Sequence, residues 1–226
     1  NGDVTLGDAD AGALVDLSAS SLTVNAGQDI ILKDAAETVS DARLRANNNI
    51  LLENNLTANF IDLDADFGKI EMVADGQLRS TGNSLYLTAQ GDVLIDTLDT
   101  AAYLYITSRQ GVINEVVNDS RDNIRTGTGF ASLTAGSGIG TTSTLDLADI
   151  SQLELTSQGS IDVSTDTVLT SVNLNLRNSV ESADYRIVDN DTAAINFDFF
   201  AERNANVFIS DSVRANAGNL RFTLNT

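Results

Sequence analysis

Cysteine, histidine, tryptophan and proline are all missing from this chain of 226 residues. Without cysteine there is no disulfide, no thiol nucleophile and no thiolate zinc site; without histidine the commonest general base and transition-metal ligand are gone. Most enzyme mechanisms thereby lose a principal group, and the chain reads as a protein that is not an enzyme. The lack of proline suits coils whose backbone amides all donate to neighbouring strands. Long apolar runs are missing too. No stretch of about 18 apolar residues exists to span a bilayer, and residues 1–30 show no basic start followed by an apolar core. The expectation is a mature segment or an excised piece, with neither a membrane span nor a signal peptide.

Positive charge is scarce. Thirteen basic residues face 32 acidic ones, 25 of the acids are Asp, the only lysines are Lys33 and Lys69, and the net charge is −19. Binding to nucleic acid by phosphate neutralisation is therefore not expected. A strongly acidic exterior keeps an extended particle soluble and attracts divalent cations.

What is present is a repeated phrase. LYLTAQGDVLI at 85–95 recurs as LTVNAGQDIIL at 22–32 and LELTSQGSIDV at 153–163, with looser forms at 44–52, 61–72 and 104–113. In the 85–95 copy Leu85, Leu87 and Ala89 share one face while Tyr86, Thr88 and Gln90 share the other, the period-two pattern of a half-buried strand. Gly91 resets the phase. The interrupting Gly or Asn falls at 27, 48, 68, 91, 111, 136 and 159, giving spacings of 20 to 25 residues. A period of this size marks a repeat architecture in which each unit buries its apolar face only by stacking on its neighbours. The phrase of the leucine-rich repeat is lacking, and units of strand, turn and strand without helix fit a parallel β-helix.

The expected fold is all-β: a single right-handed parallel β-helix, or β-solenoid, over residues 1–226. It would have about 10 to 11 coils and a length of about 50 Å at a strand spacing of about 4.8 Å. Two regions depart from the pattern. Residues 114–144 are rich in Gly, Ser, Thr, Asn and Asp and predict a longer turn or insertion. Residues 183–210 hold Tyr185, Phe197, Phe199, Phe200 and Phe208 and predict an irregular coil with a larger core, the other reading being an outward apolar patch. TAGSGIGTT at 134–142 lacks the lysine and the helix pattern of a phosphate-binding loop and reads as a turn.

The phrase LTAQGDVLI, with NAGQDIIL and LTSQGSIDV, resembles the repeats of filamentous haemagglutinin-like exoproteins, the secreted passengers of bacterial two-partner secretion. The resemblance covers about 70% of the chain loosely. It implies a right-handed β-helix, a secreted or bacterial cell-surface location, and roles in adhesion, biofilm structure or contact-dependent competition. No Asn-Pro-Asn-Leu-like element is present, so within that family the chain would be an internal shaft segment. On this reading it is a structural or adhesive segment of a surface protein or extracellular fibre, with a host receptor or glycan as a further partner. Residues 222–226 followed by 1–6 read FTLNT and NGDVTL, which superpose on LYLTA and QGDVLI and suggest stacking with copies of itself. The alternative is a β-helical carbohydrate-active enzyme or a tailspike-like glycan-binding protein, since such enzymes use two carboxylates at a suitable separation. The scattered arginines, Arg109, Arg121 and Arg125 among them, give no focus for a lyase base.

The candidate site chemistry is cation binding. Asp62, Asp64 and Asp66 alternate in IDLDADF, so a strand would project all three carboxylates from one face. With help from a second strand or a loop carbonyl they would coordinate Ca²⁺; otherwise they form a solvated acidic stripe. Asp189, Asn190 and Asp191, and separately Asp8 and Asp10, are lesser candidates. The Gly-Gly-x-Gly-x-Asp calcium repeat is absent. Asn47 to Asn49 and Asn54 with Asn55 would either stack as amide ladders or serve as simple turn residues.

Overall fold

Alternation in the repeated phrase places one side of each strand in the core, and the strands stack coil upon coil. The computed structural model describes residues 2–7, 20–38, 40–82, 84–118 and 121–165, together with the strand backbone of 171–177, 185–189, 196–202 and 220–225. Every strand pairing is parallel, and the fold is an all-β parallel solenoid. The described residues contain no helix, and so none long and apolar enough to cross a membrane.

Three sheets run along the axis. The first stacks Leu22–Ala26, Asp41–Ala46, Phe60–Ala65, Ser84–Ala89 and Tyr103–Ser108, then the later parts of Ile124–Ala135 and Leu145–Ser157, then Ser171–Arg177, Asn196–Glu202 and Leu220–Asn225. The second follows the corner and stacks short strands such as Ile30–Leu32, Ile50–Leu52, Ile70–Met72 and Val93–Ile95. The third is built from strands as short as Ala36–Glu37, with Leu56–Ala58, Gln77–Ser80 and Thr97–Thr100 above it. About seven coils are complete on three sides, and the first sheet carries the ladder to ten strands against the expected 10 to 11 coils.

Register aligns like with like inside the solenoid. Val24, Leu44, Leu63, Leu87, Ile106, Leu133 and Leu155 form one inward column of the first sheet. Ile30, Ile50, Ile70, Val93 and Ile113 form a column of the second. All but the partly buried Val24 are in the core. Through the first seven strands of that sheet the inward position before the corner is small, Ala26, Ala46, Ala65, Ala89, Ser108, Ala135 and Ser157, and the register then brings Leu176 to it. There the chain turns tightly, and the two serines satisfy their hydroxyls on carbonyls, Ser108 on Gly91 at 2.7 Å and Ser157 on Gly159 at 3.0 Å.

At that corner a ladder forms in which Asp and Asn side chains accept from backbone amides of the next coil. The Asp29 N–H donates to Asp3 Oδ1 at 3.2 Å, the Asn49 N–H to Asp29 Oδ1 at 2.8 Å, and the Lys69 N–H to Asn49 Oδ1 at 3.0 Å. Asn47 Nδ2 donates to the Gly27 carbonyl at 3.2 Å. Lys69 interrupts the series because an ammonium has no acceptor, and the pattern resumes where the Val112 N–H donates to Asp92 Oδ1 at 3.0 Å. Asn49→Ala is expected to lower unfolding free energy by about 1 to 2 kcal/mol, the cost of stranding a partly buried donor. Lys69→Asn is expected to raise it by about 0.5 to 1 kcal/mol through the restored link, since the exposed Lys69–Glu71 pair it removes contributes little. Urea titration of the two variants reads both signs.

Residues 116–123 separate the strands Val112–Glu115 and Ile124–Ala135. Arg121, in that segment, reaches back across coils to Asp75 at 2.8 Å and to the buried Asp96 at 3.4 Å. Asn123 anchors its end, donating to the Asp96 carbonyl at 3.2 Å and accepting from the Asp146 N–H at 3.0 Å. Residues 134–142, expected as a turn, contain the short strand Gly138–Ile139 instead. Ile139 is buried and stacks between Ile113 and Ile161, so core registry overrides the glycines around it. In 183–210 the strands Tyr185–Asp189 and Asn196–Glu202 join the second and first sheets. Register aligns Phe197 with Val172 and Phe199 with Leu174, the columns that begin lower down with Leu153 and Leu155; Phe208 lies outside the described residues.

Candidate functional site

Residues that face outward from the first sheet also fall into rows, because every strand in it is parallel and in register. One row reads Thr23, Arg43, Asp62, Tyr86, Tyr105, Ser132 and Glu154. The next reads Asn25, Arg45, Asp64, Thr88, Thr107, Thr134 and Thr156. The solenoid thus collects residues scattered over more than 130 positions onto one surface.

Its lower part is charged. Arg43 and Arg45 stand beside Asp62 and Asp64 of the following coil, and Arg45 pairs with Asp64 at 3.2 Å. Arg43 pairs with Asp41 at 3.1 Å and lies 5.2 Å from the centre of the Phe60 ring, a cation–π distance. With Thr23 and Asn25 these four residues line a shallow recess of about 180 Å³.

The expected calcium constellation is not assembled there. Asp62 and Asp64 do share the outward face of Phe60–Ala65, where Arg43 and Arg45 flank them from the coil below and Tyr86 and Thr88 from the coil above, with no third carboxylate between. Asp66 lies beyond the strand end, where its N–H donates to the Ala46 carbonyl at 2.9 Å. Among the described residues no group of three or more acidic side chains is gathered as metal ligands. Of the lesser candidates, Asp189 ends the strand Tyr185–Asp189, while Asp8, Asp10, Asn190 and Asp191 lie outside the described residues.

Burial raises the Asp62 carboxyl above its ordinary value; Arg43 opposes the shift, Asp64 adds to it and Arg45 opposes it. A raised folded-state value means that the folded protein holds this proton more tightly than the unfolded chain. Its contribution is therefore favourable at low pH and is lost as pH rises through the folded value. Asp62→Asn is accordingly expected to be neutral to slightly stabilising at pH 7, with a melting temperature up by no more than about 2 °C because the site is partly solvated. The difference should vanish near pH 3; thermal melts between pH 3 and 7 would show it.

Above the charged rows lies an aromatic stack. Tyr86 and Tyr105 are face to face, with ring centres 4.8 Å apart and planes 6° apart, and Phe60 and Phe130 flank the pair at 5.6 Å with their planes tilted by 47° and 51°. Rings stacked this way cover one another's faces and send their edges outward. Tyr103, one row over, takes no part in the stack and is 48% exposed.

Neither the family models, nor the curated proteins, nor the solved structures contain a match to this chain. The described surface combines a mixed-charge recess, an aromatic stack and rows of hydroxyls, an arrangement suited to contact and without an enclosed cleft. Of the recess, only the aspartates stood out in the sequence analysis. Arg43 and Arg45 carried a signal too: an Arg-x-Arg pair lies 19 residues before Asp-x-Asp, one coil away.

Proposed function

We propose that this chain is a structural shaft segment of a secreted bacterial surface protein or extracellular fibre, of filamentous haemagglutinin-like type. The observation that carries the proposal is the unbroken coil-on-coil core, with side-chain ladders along one corner and parallel pairing throughout. Such a body is rigid along its axis, because each coil is held to the next by backbone hydrogen bonds, stacked apolar columns and side-chain amides together. The acidic exterior, at a net charge of −19, favours solubility for an elongated particle. The phrase LTAQGDVLI and its relatives support the family assignment and, with it, the surface location. Adhesion, and stacking with copies of itself, belong to the same proposal.

Catalysis is not part of this reading, and the test includes it. Antibody raised against the purified chain should label intact cells that produce the natural protein; labelling only after lysis would overturn the surface assignment. Incubation with plant and bacterial polysaccharides should release no reducing ends or unsaturated products. Release abolished by Asp62→Asn or Asp64→Asn would instead establish the carbohydrate-active alternative.

A further inference from the structure

Three consecutive coils of the first sheet present an outward surface with no charged residue. The middle strand supplies Tyr103, Tyr105 and Thr107. Tyr86 and Thr88 flank them on one side, Ser132 and Thr134 on the other. The charged neighbours begin at its borders, with Asp62 and Asp64 one coil below, Glu154 one coil above and the exposed Arg109 just past the end of the middle strand. In a chain that is 20% charged, with a net charge of −19, this interruption is local and spans three adjacent coils. Tyrosine rings for contact area with small hydroxyl side chains for adaptable hydrogen bonding is the division of labour seen in antibody paratopes, and few charges at the centre is a mark of interfaces.

We propose that this platform binds an uncharged, extended polysaccharide chain lying along the solenoid axis. Charge argues for a neutral ligand. An anionic glycan would meet carboxylates at both borders, and a cationic polymer would find stronger attraction almost anywhere else on the surface. Spacing argues for a linear one: Thr88, Thr107, Thr134 and Thr156 set hydroxyls in a single row at the strand interval of about 4.8 Å. An extended glycan presents its own hydroxyls at a comparable interval, so several contacts form in register. The Tyr105 phenol is neutral at pH 7 and a donor as any tyrosine is; burial, then the phenols of Tyr86 and Tyr103 and the Glu154 carboxylate, raise it further above its ordinary value. Tyr103 provides the free ring against which a sugar face can lie.

The inference deepens the adhesive side of the surface-shaft reading and rests on it for its biological setting. Its test does not. Cellohexaose, N-acetylchitohexaose and xylohexaose are titrated by calorimetry against the intact chain, with a sulfated hexasaccharide as the anionic arm. At least one neutral probe should bind, with a Kd on the order of 1 mM or tighter, and the sulfated probe should not. Tyr103→Ala is expected to weaken binding about fivefold or more, since it deletes the ring contact. Tyr105→Phe and Thr107→Val keep ring and shape, and each should weaken binding about two- to threefold through one lost hydroxyl. Arg79→Ala, on the third sheet, should change nothing. Circular dichroism and small-angle scattering on the same samples report whether the rod persists. A rod that binds no neutral probe, that prefers the sulfated one, or that binds the variants as well as the parent, overturns the platform while leaving the shaft reading standing.

Discussion

Replacing Leu87 by alanine is expected to lower the unfolding free energy by about 3 to 4 kcal/mol, the upper-middle of the range for a fully buried leucine whose cavity cannot collapse. Leu87 is wholly shielded from solvent and sits between Leu63 of the coil below and Ile106 of the coil above. Collapse is resisted because the strands on both sides are pinned at their spacing by the ladder. The same register that aligns the column prevents its neighbours from sliding in. Stability in a stack of coils is nearly a sum of coil and interface terms, and Leu87 contributes to the interfaces on both of its sides. Leu22→Ala, at a partly buried position of the first sheet, should cost visibly less. Guanidinium titration of both variants measures the difference. A loss below about 1 kcal/mol for Leu87→Ala would mean that the column is not the tightly packed core described above.

The first sheet was readable in the sequence because its strands run to five or six residues, long enough for two or three inward positions to show alternation. Leu85, Leu87 and Ala89 announce themselves. The third sheet is different. Leu56, Leu78 and Leu98 each stand nearly alone in strands of three or four residues, and one inward leucine carries no period. Ile139 was hidden for the opposite reason, since Gly138 and Gly140 around it both have positive φ and the stretch reads as a turn. Only the registry with Ile113 and Ile161 reveals a strand.

The outward surface was harder still. Successive coils differ in length: Ala42 pairs with Ile61, 19 positions on, and Leu104 with Ala131, 27 positions on. Thr88, Thr107, Thr134 and Thr156 therefore have no common spacing in sequence, although they make one straight row in space. Aspartates drew attention because three alternate in one segment. Their guanidinium neighbours, which decide what that segment does, come from another coil.

Corner glycines carry the second large effect. Gly159→Ala is expected to cost about 3 kcal/mol, comparable with the most severe overpacking of a core. A Cβ at Gly159 would run into the carbonyl oxygen of Ser137 in the coil below, and one at Gly136 would meet the carbonyl oxygen of Arg109. These obstacles are backbone, held by the same interstrand bonds that define the solenoid, such as the Gly136 N–H donating to the Ser108 carbonyl at 2.8 Å. Neither obstacle is a side chain that could swing aside. Relief would require the two coils to separate at the corner, which breaks stacking on both adjoining sheets. Gly2 provides the internal control, because a Cβ there meets nothing within 4 Å. Gly2→Ala should leave the melting temperature within about 1 °C of the parent, whereas Gly159→Ala should lower it by roughly 6 to 12 °C. Equal melting temperatures for the two variants would refute close backbone approach as the reason for glycine in the repeated phrase. The glycine would then mark the corner without enforcing it.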